Sequence, residues 1–239
     1  MKNSFTLSAL TTLLLLSGTV QSADNVFRFG YTDAKFAGEV TDSATNNTPA
    51  TNLCTKDAKR VTRNNIEVMI RDGFNVSSVC TENITDMSSL FKNLPNFNDD
   101  ISNWDVSNVT DFSLMFYGAK SFNQPIGNWN TSSATTLRYM FYGASTFNQP
   151  IGNWDLSKNK AMNGVFIGAI AFNQPIGKWD TSLANSLLST FEDATSFNQD
   201  ISQWDVSNIY DLRRAFKNTT SLNQDLSSMN FTKAYSQPN

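Results

Sequence analysis

The sequence predicts an α/β solenoid built from 25-residue strand-turn-helix repeats, with a parallel sheet along one face. Three observations carry that expectation. The phrase Phe-Asn-x-x-Ile-x-x-Trp recurs without insertion at Phe97–Trp104, Phe122–Trp129, Phe147–Trp154, Phe172–Trp179 and Phe197–Trp204. A fixed period of roughly 20–50 residues marks a repeat array, in which each unit buries its apolar side only against its neighbours. Within every unit, an alternating hydrophobic pattern is followed by one of helical period.

The elements follow from these patterns. Ile101-x-x-Trp104-x-Val106 sets Trp104 and Val106 on one side of an extended segment and Asp105 on the other. The phrase maps onto the Leu-x-x-Leu-x-Leu core of leucine-rich repeats, so the solenoid is expected to be leucine-rich-repeat-like. Phe112, Met115, Phe116 and Ala119 then fall at i, i+3, i+4 and i+7, one face of a helix of about two turns. Thr110 suits its N-cap, Asp111 its positive start, and Gly118 and Gly143 mark helix ends. Phe116 and Phe122 are expected to close the far end of the core wedge. A decayed last copy runs from Leu222 to Leu226, with Met229 in the tryptophan position.

The chain divides into four segments. Lys2, the apolar run Phe5–Leu16 and the small residues Val20 and Ser22 read as a secretory signal peptide over residues 1–22. The run falls short of the roughly 18–20 residues of a spanning helix, so no transmembrane segment is expected in the mature chain. Residues 23–58 form an N-terminal segment with strand-like alternation at Phe27, Phe29 and Tyr31 and a polar loop at Thr41–Pro49. Residues 59–84 read as a degenerate capping repeat. There Thr62 is an N-cap, Ile66, Met69 and Ile70 share a helix face, Gly73 follows its end, and Val79 stands in the tryptophan position. Residues 85–239 carry the repeats, the last one truncated.

Composition excludes several classes. The net charge of −3 offers no clustered cations for nucleic acid or an anionic membrane. There is no histidine, which removes His-dependent triads and His-ligated zinc. The two cysteines, Cys54 and Cys80, are expected to form a disulfide in an exported chain. No phosphate-binding glycine loop, nucleophile elbow or other cofactor motif is present, so no cofactor and no enzymatic activity are expected.

The phrases Ile84-Thr85-Asp86-Met87-Ser88-Ser89-Leu90-Phe91 and Phe97-Asn98-Asp99-Asp100-Ile101-Ser102-Asn103-Trp104-Asp105-Val106-Ser107-Asn108-Val109 resemble the BspA-like leucine-rich-repeat surface proteins. The same repeat occurs as a mycoplasma-type surface-protein domain of unknown function. The resemblance spans about residues 60–232. It implies a secreted or cell-surface protein of adhesion type, and the family offers no catalytic residues to transfer.

Three residue columns could carry chemistry. Asn98, Asn123, Asn148, Asn173, Asn198 and Asn223 read as a hydrogen-bonded ladder that satisfies turn backbone, with a recognition stripe as the alternative. The tryptophans read as core, against a sugar-binding stripe. The column Asp105, Asn130, Asp155, Asp180, Asp205 alternates out of the core with Ser107 and its equivalents. It either contacts a ligand or Ca²⁺, or accepts hydrogen bonds within the following turn. The outward positions Asn103, Asp105, Asn128, Asn130, Asn153, Asp155, Lys178, Asp180, Gln203 and Asp205 are therefore the candidate ligand-binding residues, and no metal site is expected. The function expected is an exported repeat protein binding a protein or glycan partner at the cell surface. The alternative is a structural module that self-associates end to end.

Overall fold

A computed structural model describes residues 60–229, 231 and 233. The signal peptide, the 23–58 segment and Cys54 lie outside the described residues.

The helix expected after Thr62 forms as α1, Arg63–Arg71. Thr62 accepts the N–H of Asn65, and the Asn65 side chain returns a bond to the Thr62 N–H, closing a capping box. Gly73, at φ 79°, ends it, with bonds from Gly73 N–H to the Ile70 carbonyl and from Phe74 N–H to that of Met69. Cys80 is buried and disulfide-bonded, and Cys54 is the chain's other cysteine.

The α/β solenoid does not form. Among the described residues α1 is the one helix, and there is no sheet. Strand pairing shrinks to single parallel bridges at Asp86–Asp111, Asp111–Thr136, Thr136–Ala161 and Ser186–Asp211. The expected leucine-rich-repeat solenoid is thus replaced by 25-residue units made of turns, each hydrogen-bonded to the next.

Backbone conformation explains the missing helices. Leu114 and Gly118 have φ of 61° and 70°, and pairs four residues apart recur at Ser89/Asn93, Tyr139/Gly143, Gly164/Gly168, Ser189/Asp193 and Arg214/Asn218. A left-handed residue every fourth position cannot continue a right-handed helix. In the inner units most of the freed polar groups find partners. Phe112, Leu114, Phe116 and Gly118 donate their N–H forward to the carbonyls of Thr136, Arg138, Met140 and Tyr142, at 2.6–3.2 Å. Met115, Tyr117 and Ala119 donate back within their own unit to Phe112, Leu114 and Phe116, at 3.0–3.2 Å. Residues 111–119 and their equivalents, here termed the turn arm, are therefore stitched mainly by backbone, with side-chain bonds added in the last units from Thr190, Lys217, Asn218 and Thr219. The apolar residues at helical spacing still point inward: Phe112, Met115, Phe116 and Ala119 are all fully buried.

Residues 101–110 and equivalents, the tryptophan arm, lack strands for a related reason. β-Turns close from Trp104 N–H to the Ile101 carbonyl and from Val109 N–H to that of Val106, so no extended run survives. Here side chains tie the units together. Trp104, Trp129, Trp154, Trp179 and Trp204 are buried, and each donates Nε1–H to the carbonyl of Val76, Ile101, Ile126, Ile151 or Ile176, at 3.0–3.2 Å. The expectation that these residues are core holds.

Between the arms lies a core of aromatic columns. Phe91, Phe116, Phe141, Phe166, Phe191 and Phe216 follow one another at 5.5–5.7 Å between ring centroids. Phe122 stacks on Phe116 of its own unit at 3.8 Å, closing the wedge as expected. The first unit is covered by α1. The Arg63 guanidinium donates to the carbonyls of Asp86 and Ser88, which occupy the places of Asp111 and Ser113. In the later units those carbonyls accept N–H groups of the unit before, as from Met87 and Ser89.

Candidate functional site

The outward positions of the tryptophan arm all reach the surface. Asn103, Asp105, Asn128, Asn130, Asn153, Asp155, Lys178, Asp180, Gln203 and Asp205 are exposed. They form two columns on a face of turns, not of strands. Burial of Ile101, Trp104 and Val106, and of their equivalents, pins the positions between them outward.

The two columns differ in what they do. In the aspartate column each side chain caps a turn: Oδ1 of Asp105, Asn130, Asp155, Asp180 and Asp205 accepts the N–H of Ser107, Ser132, Ser157, Ser182 and Ser207, at 2.9–3.2 Å. This is the turn-capping alternative. The Ser157 hydroxyl, then its N–H, hold the Asp155 carboxyl below the usual range, and Ser207 does the same for Asp205.

The neighbouring column is unengaged. Among the described residues, the side chains of Asn103, Asn128, Asn153 and Lys178 make no hydrogen bond or ion pair, and Gln203 makes one long contact of 3.4 Å to Ser202. Polar groups that the fold does not use are the ones free for a partner.

A feature missed in the sequence sits beneath this face. Thr81, Thr131 and Thr181 alternate with Val106, Leu156 and Val206 in one buried column. The Thr hydroxyls donate to the backbone carbonyls of Asp105, Asp155 and Asp205, at 2.8–3.0 Å. The signal was a doubled period in one column, hidden by the conspicuous single one.

The Asn98 column is a ladder from side chain to backbone: each Oδ1 accepts the N–H of the next Asn, from Asn123 to Asn223, at 2.8–2.9 Å. Gln124, Gln149, Gln174, Gln199 and Gln224 add donors to the same asparagines. That occupancy favours the structural reading of the column.

Among the described residues, no group of three acids or cysteines is placed to hold a metal, and no helix is long and apolar enough to cross a membrane. An open hollow of about 500 Å³, lined by Ile70, Phe74, Leu94 and Phe97, lies beside α1 and away from both columns.

The repeat matches the model of the family described as Mycoplasma protein of unknown function, DUF285, over residues 56–169 and 151–238. The chain belongs to this family. Membership covers the region of turn-built units and assigns no ligand. No curated protein and no solved structure matches the chain.

Proposed function

We propose that this DUF285 protein is an exported surface protein that binds a polar partner, a glycan or an extended peptide, along the tryptophan-arm face. The observation that carries this reading is the column Asn103, Asn128, Asn153, Lys178 and Gln203, exposed and almost free of internal bonds. A kinship with BspA-like adhesion-type surface proteins supports it through the phrases at 84–91 and 97–109, without the leucine-rich-repeat fold. The column itself holds no aromatic side chain, so single contacts are weak and affinity grows with the number of units engaged. Secretion and cell-surface placement rest on the N-terminal signal. No catalytic role is proposed.

The alternative, an end-to-end self-assembling module, is disfavoured by α1. Its Arg63 occupies the carbonyls that a stacking copy would need. The decisive test is a glycan and matrix-protein array probed with the mature chain and with an Asn128→Ala/Asn153→Ala variant. The binder reading expects retention that the variant loses at unchanged thermal stability. A concentration-dependent oligomer on size exclusion, with an empty array, would favour the self-assembling module instead.

A further inference from the structure

Two phenols meet on the turn arm. Tyr117 and Tyr142 hold the same place in consecutive 25-residue units, with Lys92 before them and Ile167 after. Both are half-buried, so each keeps part of its ring in solvent. Their rings stack at 4.3 Å between centroids, with planes 9° apart. Successive rings of the buried Phe91–Phe216 column stand 5.5–5.7 Å apart, and those of the tryptophan column from Trp129 to Trp204 stand 6.1–6.4 Å apart. The tyrosines are therefore drawn together more closely than the repeat itself requires.

The hydroxyls meet as well. Tyr142 is held above its ordinary pKa first by the charge of Tyr117 beside it, then by burial and by a hydrogen bond with Tyr117, with Glu192 and Asp193 adding less. Tyr142 therefore keeps its proton at neutral pH. With the rings parallel and the hydroxyls adjacent, the ring carbons ortho to the hydroxyls lie side by side. Among the described residues no other two tyrosines stack: Tyr139 meets Tyr142 edge-on, at 6.4 Å and 67°. The tryptophans stack in parallel too, but they are buried and carry no phenol.

We propose that Tyr117 and Tyr142 form an oxidative modification site, where hydrogen peroxide acting through a haem peroxidase joins the two rings into a dityrosine that staples adjacent units. One peroxide takes a hydrogen atom, an electron with its proton, from each phenol and is reduced to two waters. The two phenoxyl radicals then couple through their ortho carbons. Each of those carbons releases its hydrogen as a proton, which restores the hydroxyl on its ring. The net change is one carbon–carbon bond formed and two hydrogens lost. The staple closes a loop in the unfolded chain and so removes some of its freedom. This site lies apart from the tryptophan-arm face and does not depend on what binds there.

The test treats the full mature chain, dilute enough to disfavour coupling between molecules, with hydrogen peroxide and a haem peroxidase. Dityrosine fluorescence, intact mass and peptide mapping are read on the monomer. The monomer is expected to lose two hydrogens, to gain dityrosine fluorescence and to yield one cross-linked peptide pair holding Tyr117 and Tyr142. It should then melt at a higher temperature than the untreated chain. Tyr117→Phe and Tyr142→Phe keep the stacked ring and should each abolish the cross-link, while Tyr139→Phe and Tyr210→Phe leave it intact. Absence of the two-hydrogen loss in the monomer, a cross-link that survives Tyr117→Phe, or coupling found only in dimers overturns the proposal. An unchanged melting temperature of the cross-linked monomer overturns the staple.

Discussion

The two arms of each unit solve the same problem by different means. In the turn arm, backbone meets backbone: every second N–H crosses to the next unit, and side chains are free to fill the core. In the tryptophan arm, the crossing bonds come largely from side chains, Trp Nε1 and Thr Oγ1, and the asparagine ladder adjoins it. The first solution depends on conformation and tolerates varied residues, as Ser89, Leu114, Tyr139, Gly164, Ser189 and Arg214 share one left-handed position. The second depends on chemistry and repeats its tryptophan in each unit from Trp104 to Trp204. The constant Trp and Asn columns carry side-chain bonds between units, while the varied left-handed position of the turn arm is held by backbone bonds.

The largest expected effect tests that contrast in the tryptophan arm. Trp154→Ala should cost about 3–5 kcal/mol by emptying a large buried site. Trp154→Phe keeps most of the packing but leaves the buried Ile126 carbonyl unpaired, and should cost about 1–3 kcal/mol. Thermal or urea unfolding separates the two, and a Phe variant as stable as wild type would show the Nε1 bond to be idle.

The turn arm is probed next at its leading edge. Arg63→Met removes two guanidinium bonds to the Asp86 and Ser88 carbonyls, with an expected loss of about 1–3 kcal/mol. Hydrogen exchange should quicken first at Met87, Ser89 and Phe91, and not at Thr110 or Thr135. Uniform acceleration would mean that α1 caps by burial alone.

How much of this was legible in the sequence follows from the same contrast. The inward residues of both arms were readable, because burial repeats with the period whatever the backbone does. The element types were not. Phe112, Met115, Phe116 and Ala119 sit at helical spacing, yet an alternation of right- and left-handed residues brings the same positions inward. Gly118, Gly143 and Gly168 resembled helix ends. Asn93, Asp193 and Asn218 in the same column, residues that tolerate left-handed φ, were the clue that every copy turns there. For the site, exposure was readable from alternation. The division between capping aspartates and unengaged Asn103-type residues needed the hydrogen bonds.

A smaller effect isolates the conformational cost. Gly143 has φ 65°, and a Cβ added there would meet nothing closer than Gly118 Cα at 3.8 Å. Gly143→Ala should therefore cost only backbone strain, about 1–2 kcal/mol. A larger loss in urea unfolding would mean that the turn arm is tightly packed at this edge, and the contrast between the arms would weaken.

The smallest expected effect lies in the capping column. Asp155 is held below its usual pKa by the Ser157 hydroxyl and then its N–H, with Lys158 adding a smaller pull. Its folded value lies below the unfolded one of about 3.9, so its contribution to stability is present above that pH. The contribution fades as pH falls through the lowered folded value. Asn130 fills the same place one unit earlier and accepts the Ser132 N–H at 3.2 Å, against 2.9 Å for Asp155. An amide can therefore keep the turn. Asp155→Asn should leave the melting temperature near neutral pH almost unchanged and make its decline between about pH 5 and 2 shallower. Asp155→Ala, which removes the cap altogether, should lower stability by up to about 1 kcal/mol at every pH in that range. If the asparagine variant loses as much as the alanine one at neutral pH, the charge rather than the cap matters at this position. The aspartates would then rejoin Asn103, Asn128 and Asn153 as groups held out for a partner.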